Sequence, residues 1–518
     1  MAIIDRRAVI GATLALAATT PARAQAAAVA RTAYGRVRGA QAGEVLSFKG
    51  IRYGAPTLRF QAPSRPRAWR GVRDALTYGP ACPQRSLDGE AQSEDCLFLN
   101  VWTPALTGRR PVLVYIHGGA YNTGSGSSPV TDGARLAAQG DVVVVTLNHR
   151  LNAFGYCYLA ANGFPDSGNA GQLDLILALE WMRDNIANFG GDPSCVTLFG
   201  QSGGGAKIAT LMAMPAAAGL FHRAATMSGQ QITVSGPLNA RRRTAAYFDR
   251  LALTSTHTFA TVPAARLVEA LQVSDPVLGF SPVYFGPVLD ERHLTRHPFY
   301  PDAAPQSLSI PMLIGNTRDE TRGFVGADRT LFALTWDAVA PQLADAMRID
   351  VLPERVVTEY RRLHPDYSPS EVYFAASTAA RSWRGALIEL EARANANAPA
   401  YAYQLNWRAP AEDGIFGAPH TLDIPLVFGN LEASIYIGER TAAAEAISRT
   451  MMDAFLRFAR TGDPGWAPYR LPQRATMIFD NSSRVEEDPR RAEREFFARI
   501  PYVQPALNRA TDANLLRH

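Results

Sequence analysis

The sequence predicts an α/β fold in which a large, mostly parallel central sheet is flanked by helices, and three observations support it. Two continuous apolar, β-branched runs at 112–116 and 142–147 have the composition of strands that are buried on both faces. A helical pattern with a broad apolar face covers 171–188, and a glycine stop with a proline beyond ends it. A further apolar run follows at 196–199. Alternation of strand, helix and strand is typical of parallel strands joined by crossover helices.

Three later segments, 224–227, 311–314 and 401–405, have strand composition as well. The two stretches between them, 230–310 and 320–400, are of largely helical composition. Loops carried by a rigid scaffold determine specificity in many proteins. We therefore expect two helical insertions that lie over the carboxyl edge of the sheet and shape a pocket there.

Composition and charge narrow the class of protein. The chain has 518 residues, of which 47% are hydrophobic and 19% charged, so it has ample material for a large core. No linker, charge block or low-complexity tract divides it, and we expect one domain over 25–518. The net charge of +5 gives no basic patch that would indicate a nucleic-acid partner.

The N-terminus has the pattern of an export signal over residues 1–24. Asp5-Arg6-Arg7 precedes an apolar stretch that is shorter than the roughly 20 residues needed to span a bilayer. A small-x-small cleavage pattern then ends at Ala24. Paired arginines fit the twin-arginine route, and a plain basic region fits the general route equally well. We expect a periplasmic or secreted protein without a stable membrane anchor.

The most informative segment, 200–204, reads Gly-Gln-Ser-Gly-Gly and lies between the strand pattern at 196–199 and a helix-compatible run at 206–212. Strand, sharp turn and helix in this order are the signature of a nucleophile elbow. So tight a turn forces strained dihedral angles on the central residue and leaves no room for side chains beside it, which explains the glycines. The segment predicts that Ser202 is a nucleophile.

A second glycine-containing segment, 117–121, follows the predicted strand at 112–116 and reads His-Gly-Gly-Ala-Tyr. It lies upstream of the elbow, after a buried strand. Backbone N–H groups of such a loop can point at a developing oxyanion without reorganising. We expect an oxyanion-binding loop here, although a pair of glycines is also compatible with a structural turn.

The base must be one of nine histidines. His117 and His149 follow strands ahead of the serine and are expected to be structural, and most others fall in the insertions or near the chain end. His420 lies in a loop after the strand at 401–405 and is the best candidate. The acid should come between serine and histidine, after a strand. Asp319 and Glu320 both meet that requirement, and position alone leaves the choice open.

At this point the chain resembles the type-B carboxylesterase family, which includes bacterial para-nitrobenzyl esterase-like enzymes and cholinesterases. The resemblance covers nearly all of the mature chain. It rests on the serine and histidine segments already described, on the Asp-Glu pair at 319–320, and on the segments 94–101 (EDCLFLNV), 169–174 (NAGQLD) and 422–429 (LDIPLVFG).

The resemblance implies an α/β-hydrolase fold with Ser202 as nucleophile, His420 as base and Glu320 as the acid. It implies a serine carboxylic ester hydrolase that acts on a small-molecule ester through an acyl-enzyme. The chain contains no sequence motif for a metal or nucleotide cofactor, and none is expected. Hydrolysis of a related bond, such as a carbamate, lactone, thioester or amide, is the alternative. A non-catalytic binding protein with the same fold is a further alternative.

The resemblance also assigns supporting residues. It places the oxyanion donors on the backbone N–H groups of Gly119, Ala120 and Gly203, and it implies a disulfide between Cys82 and Cys96.

Two positions depart from the family pattern. Gln201 stands where the family usually has glutamate, and Gly203 stands where it usually has alanine. The first removes a carboxylate near the histidine, so we expect a preference for neutral esters over quaternary-ammonium esters. The loop 82–96 lacks tryptophan and therefore the cation-binding platform of cholinesterases.

Overall fold

The computed structural model describes residues 28–85, 89–253, 255–279, 281–347 and 349–502. The predicted export signal at 1–24 lies outside these ranges and stays a prediction. The strands are β1 (Ala28–Thr32), β2 (Gly35–Ala42), β3 (Val45–Arg52), β4 (Val72–Asp74), β5 (Phe98–Thr103), β6 (Arg110–Ile116), β7 (Val143–Leu147), β8 (Gly191–Gln201), β9 (Arg223–Met227), β10 (Met312–Thr317), β11 (Ala400–Leu405), β12 (Ala475–Phe479) and β13 (Arg484–Glu487).

The helices cover the sheet and form the insertions. They are α1 (Ala134–Gly140), α2 (Asn152–Tyr156), α3 (Ala170–Asn185), α4 (Gly203–Met212), α5 (Pro237–Leu251), α6 (Thr256–Phe259), α7 (Ala264–Ala270), α8 (Glu320–Val325), α9 (Trp336–Met347), α10 (Pro353–Leu363), α11 (Pro369–Thr378), α12 (Arg384–Asn395), α13 (Ala411–Gly414), α14 (Asp423–Phe428), α15 (Ala442–Thr461) and α16 (Arg491–Phe497). None of the described helices is long and apolar enough to cross a membrane.

The strands form one large sheet in the order β1-β2-β3-β5-β7-β6-β8-β9-β10-β11-β12-β13, with β4 beside β2. All neighbouring pairs from β7 to β12 are parallel, whereas the other pairs along this order are antiparallel, and β4 pairs parallel with β2. The predicted α/β-hydrolase fold, with its mostly parallel central sheet, is therefore confirmed.

Alternation along the central strands explains why both faces of the sheet are covered. In β6, Val112 and Val114 pack into the apolar layer on one face, while Leu113 and Tyr115 pack into the layer on the other. Successive strand side chains point to opposite faces, so a run that is apolar throughout must be buried on both. Helices on each face supply that burial.

The two insertions differ in kind. The second one, from α8 to α12, is helical as expected and has an apolar cluster of its own. The first one contains α5, α6 and α7, but its described residues from 271 to 304 form no helix. That stretch carries five prolines at 276, 282, 287, 298 and 301, and proline removes a backbone donor and clashes with the preceding turn. The expectation of a largely helical insertion was thus wrong for its second half.

The structure describes Cys82 and Cys96 as free thiols, so the expected disulfide is not shown. Packing brings the two side chains together without a covalent bond. The hydrogen bond to Cys82, followed by burial, holds the pKa of Cys96 well above its usual value. The sulfur of Cys82 also accepts a hydrogen bond from the N–H of Leu151 at 3.2 Å. The two thiols therefore anchor this loop to the chain after β7 by non-covalent contacts.

A buried ion pair fixes the chain that leaves β7 against α3. Arg150 and Asp174 are joined by two side-chain hydrogen bonds of 2.6 and 2.8 Å, and the N–H of Arg150 donates to the same carboxylate at 2.9 Å. Neither side chain is more than 2% exposed. A buried carboxylate with this many donors holds its partner charge in place, and removal of either partner leaves the other charge uncompensated.

We expect Asp174→Asn to lower the free energy of unfolding by about 3–5 kcal/mol, because the Arg150 guanidinium would stay buried without a carboxylate. Equilibrium urea denaturation measures this change. Arg109→Met is the matched control, since Arg109 is 77% exposed in its ion pair with Asp192, and it should change stability by no more than about 1 kcal/mol. Equal losses in both variants would contradict the assigned role of the buried pair.

Candidate active site

The predicted elbow lies at the centre of the sheet. Strand β8 ends at Gln201 and helix α4 begins at Gly203, so that Ser202 is the single residue of the turn. Its backbone has φ 56° and ψ −125°, a conformation that L residues rarely adopt and that costs on the order of 1–3 kcal/mol. The N–H of Ser202 donates to the carbonyl of Met227 at 2.7 Å, which ties the turn to the end of β9.

The glycines of the elbow are required by neighbouring backbone. A Cβ atom on Gly204 would lie 1.9 Å from the carbonyl oxygen of Ile116, at the end of β6. A Cβ atom on Gly203 would lie 2.2 Å from both Cα and the carbonyl oxygen of Ala120. In this chain a side chain at either position would therefore force α4 and the loop after β6 to move apart.

The candidate base and the candidate acid meet beside this turn. Glu320 is the first residue of α8, just beyond β10, and His420 lies in the loop after β11. Oε2 of Glu320 contacts Nδ1 of His420 in a short hydrogen bond, and Oε1 accepts from the N–H of Thr317 at 2.9 Å. An ionised carboxylate only accepts, so Nδ1 carries the proton and Nε2 keeps a lone pair. That is the tautomer a general base needs.

Electrostatics keeps Glu320 ionised although it is fully buried. Burial raises the pKa of Glu320, but the electrostatic interaction with His420 and the hydrogen bonds from His420, Ser228 and the Thr317 N–H outweigh this effect and hold the pKa below its ordinary value. A carboxylate that accepts several hydrogen bonds stays charged in a site with little water. The charge is therefore available to orient and stabilise an imidazolium.

Asp319, the other candidate acid, points elsewhere. Its carboxylate accepts from the N–H of Ala418 at 2.9 Å, and its own N–H donates to the carbonyl of Ala418 at 2.9 Å. It also lies 3.3 Å from Arg318 and 3.6 Å from Arg322. Asp319 thus holds the histidine loop against α8, and of the two carboxylates it is Glu320 that contacts the imidazole.

Gln201 lies against the imidazole, where the sequence placed it. Its side-chain nitrogen is 3.0 Å from Nε2 and 3.3 Å from Nδ1 of His420, and the residue is 1% exposed. The described residues contain no hydrogen bond between the Ser202 hydroxyl and His420 in this state. Catalytic hydrogen bonds often lengthen in the free enzyme and tighten with substrate. The residue beside the base is a neutral amide.

The loop after β6, where the oxyanion donors are predicted, forms a tight turn with an unusual backbone conformation. Gly119 and Ala120 adopt left-handed φ values of 78° and 52°. The carbonyl of Gly119 accepts from the N–H of Asn122 at 3.1 Å and from that of Thr123 at 3.0 Å, which closes the loop into a tight turn. Ala120 abuts Gly203, so the three predicted donors belong to two segments in direct contact.

A pocket of about 600 Å³, including its solvent-open mouth, lies over the elbow and the histidine. Ser202, Gly203, Ala120 and His420 line it on the sheet side. The rest of the wall is largely aromatic and amide in character and includes Tyr121, Tyr284, Phe324, Tyr502, Gln230 and Gln231. Among the described lining residues there is no aspartate or glutamate.

Two lining residues were missed by the sequence analysis. The ring of Phe324 lies 4.2 Å from the imidazole of His420, and the guanidinium of Arg381 lies 3.7 Å from the Phe324 ring. Phe324 is one helical turn after Glu320, so helical spacing could have indicated it. Arg381 lies on a π-helical turn, Ala379–Trp383, in the second insertion, and the sequence carries no signal for such a turn.

The fold and this site define the class of protein as an α/β-hydrolase. The model of the carboxylesterase family matches residues 26–497, and the chain belongs to that family. It is a serine carboxylic ester hydrolase.

Comparison with individual relatives supports the family assignment. The para-nitrobenzyl esterase of Bacillus subtilis is 36% identical, over 90% of this chain and 98% of the relative. The phenmedipham hydrolase of Pseudarthrobacter oxydans is 32% identical, over 89% and 97%. A crystal structure of the Geobacillus stearothermophilus carboxylesterase EST55 at pH 6.2 superimposes with a TM-score of 0.80 and 37% identity, over 90% of this chain and 99% of that one.

We expect Gly203→Ala to lower kcat between about tenfold and 100-fold, because the new methyl group would push α4 away from Ala120 and misalign the donors. Steady-state kinetics with para-nitrophenyl acetate measures this effect. Gly236→Ala is the matched control, since nothing lies within 4 Å of its Cβ position. If Gly203→Ala kept the activity of the control, the close contact would have no catalytic role.

Proposed function

We propose that Ser202, His420 and Glu320 form the catalytic triad of an esterase that acts on neutral carboxylic esters through an acyl-enzyme. The observation that supports this most is the buried contact between Glu320 and His420, next to a serine in a strained turn at the floor of the same pocket. A serine hydroxyl is a weak nucleophile until an oriented base removes its proton.

The reaction follows from these positions. Oγ of Ser202 attacks the ester carbonyl while Nε2 of His420 takes its proton, and the imidazolium then gives that proton to the leaving alcohol. Glu320 keeps the proton of Nδ1 in place and stabilises the imidazolium. A water molecule repeats the sequence on the acyl-enzyme and releases the carboxylic acid.

The oxyanion of each tetrahedral intermediate requires donors that are already in position. We assign this role to the backbone N–H groups of Gly119, Ala120 and Gly203. A preorganised donor of this kind is worth about 100- to 1000-fold in kcat, because it stabilises charge that develops only in the transition state.

The charges around the pocket support the preference for uncharged esters. Gln201 places an amide where a carboxylate would attract a cation and stabilise the imidazolium. Besides His420, the formally charged side chain among the described lining residues is Arg381, which is a cation. A quaternary-ammonium ester would thus meet no negative partner in the described wall.

A panel of substrates distinguishes ester hydrolysis from hydrolysis of related bonds. Purified enzyme would be tested on an ester, a thioester, a carbamate and an amide that share one acyl group, and the ester should be turned over fastest. A carbamate or an amide with a larger kcat/KM would replace the ester in the proposal and leave the triad untouched.

The triad makes a prediction about covalent labelling. We expect Ser202→Ala to lose at least about 1000-fold in turnover and to take up no aryl phosphonate. Glu320→Gln should slow the labelling of Ser202 by about 100-fold or more, because the imidazole loses its orientation. Stopped-flow release of the phenol and mass mapping of the labelled peptide measure both.

Asp319→Asn is the control for the neighbouring carboxylate. It should slow labelling much less than Glu320→Gln, since Asp319 touches the histidine loop and not the imidazole. Strong slowing in Asp319→Asn together with normal labelling in Glu320→Gln would show that the acid has been assigned to the wrong residue.

Gln201→Glu tests the charge beside the base. A carboxylate there would stabilise the imidazolium form of His420, because it would place a negative charge where the neutral amide now lies. Activity needs neutral imidazole, so the acid limb of kcat/KM should move to higher pH, and choline esters should gain relative to neutral esters of the same acid.

Gln272→Glu adds the same charge at an exposed position after α7 and should leave both properties unchanged. Superimposable pH profiles and equal choline-ester preference in wild type and Gln201→Glu would rule out a role for the neutral amide in either property.

A further inference from the structure

The helix that follows the nucleophile contains a buried lysine. Lys207 lies in α4, in the second turn after Ser202, and its side chain is 0% exposed. Its Nζ donates a hydrogen bond to the carbonyl oxygen of His117 at 3.0 Å. His117 immediately precedes the loop that carries Gly119 and Ala120. One side-chain hydrogen bond therefore joins the helix that begins with Gly203 to the loop that supplies the other two donors.

The surroundings of Lys207 hold no counter-ion. None of the salt bridges among the described residues includes Lys207, and Arg150, the charged residue that follows His149, is paired with Asp174. The rings of His117 and His149 stack at 4.9 Å in this region. Tyr121 presents its ring 5.7 Å from Nζ.

Both stacked histidines are uncharged. Nδ1 of His117 lies 2.9 Å from the carbonyl of Gly118, and Nδ1 of His149 lies 2.9 Å from that of Arg150, so each Nδ1 carries the proton. Burial, followed by the charge of Lys207, lowers the pKa of His117 to about 3 and that of His149 well below its usual value.

An ammonium in this position is costly to the fold. Burial lowers the pKa of Lys207 to about 7, which means that the protein disfavours its charge. A methionine side chain of similar length would fill the same space without that penalty. Costly buried groups that contribute nothing to stability are typical of functional positions.

We propose that Lys207 is a positioning residue of the oxyanion hole, whose hydrogen bond to the His117 carbonyl holds the loop 118–120 against the start of α4. This inference rests on the proposed function of Gly119, Ala120 and Gly203.

The loop needs such a restraint because Gly119 and Ala120 both have left-handed φ values, and for Ala120 that conformation is strained. Without the restraint, the strain can relax by rotation of these two residues. Their N–H groups would then turn away from the position of the oxyanion. A shift of about 1 Å is enough to cost two orders of magnitude in rate.

Lys207→Met is the direct test, because it keeps the length and apolar volume of the side chain and removes the donor. We expect kcat to fall between about tenfold and 100-fold with KM changed by less than about threefold, since the loss occurs in the transition state. The midpoint of thermal unfolding should not fall, because a buried charge is removed. A merely structural lysine would give the opposite pattern, with a lower midpoint and an unchanged kcat.

The chain offers a matched control, since Lys49 is its other lysine. Lys49 lies in β3, 3.7 Å from Asp132 and 4.4 Å from the ring of Tyr78. Lys49→Met removes one ammonium and should leave kcat and KM unchanged. A kcat for Lys207→Met within twofold of this control would overturn the inference.

Inhibitor affinities separate positioning from a general loss of the site. A trifluoromethyl ketone forms a tetrahedral adduct with the nucleophile, and its affinity should fall in Lys207→Met by the same factor as kcat/KM. The methyl ketone of the same skeleton binds as a ground-state analogue and should keep its affinity. An equal loss for both ketones would show damage to the pocket instead of the oxyanion hole, and would overturn the inference.

The wild-type protein gives a second test that does not depend on folding of the variant. With two lysines in the chain, uniform ¹⁵N-lysine labelling yields two Nζ signals, which Lys49→Met assigns. Formation of the trifluoromethyl ketone adduct should shift the Lys207 signal and leave that of Lys49 in place. An unmoved Lys207 signal would overturn the inference.

Failure of this inference is distinguishable from failure of the proposed function. If Ser202→Ala kept its activity, the triad itself would be wrong whatever Lys207 does. If Ser202→Ala is inactive and Lys207→Met is as active as wild type, the triad stands and the role of Lys207 alone is refuted.

Discussion

The approach of three backbone segments at the elbow is the constraint on which the site depends. Helix α4 begins so close to the end of β6 that Gly204 has no space for a Cβ atom, and Gly203 touches the backbone of Ala120. This approach places Ser202 in its strained turn and brings the oxyanion loop beside it. The surrounding sheet is rigid because its central strands are buried on both faces, so it can hold a conformation that the turn alone would not keep.

The central sheet and the nucleophile could be predicted because their signals are local. Continuous apolar runs belong to strands covered on both faces. The predicted strands at 112–116 and 196–199 fall within β6 and β8, and the one predicted at 142–147 begins one residue before β7. The glycines around Ser202 have a steric cause that can be recognised from the short segment itself. His420 could be named from its place after a strand, but the choice between Asp319 and Glu320 needed the direction of two adjacent side chains, which position along the chain does not fix.

The features that could not be predicted depend on contacts between distant segments. The contact of Arg381 with Phe324 involves a π-helical turn in an insertion, more than 50 residues beyond Glu320. Whether Cys82 and Cys96 are thiols or a disulfide depends on oxidation, which the spacing of the two residues does not determine. In the second half of the first insertion, the prolines prevent helix formation although the composition is otherwise largely helical. The role of Lys207 could not be predicted, because a lysine within a helix pattern is normally solvated. Its burial becomes visible only from the packing of α4 against the loop 118–120.

The order of the strands has a consequence for the newly made chain. The residues that we propose as nucleophile, acid and base follow β8, β10 and β11, which lie outward from the centre of the sheet in the order in which they are synthesised. A growing chain therefore carries its serine long before it has a base to activate it. Hydrolytic activity cannot arise until β11 has docked and delivered His420, so its appearance marks the nearly finished sheet, and a prematurely terminated chain is left chemically inert.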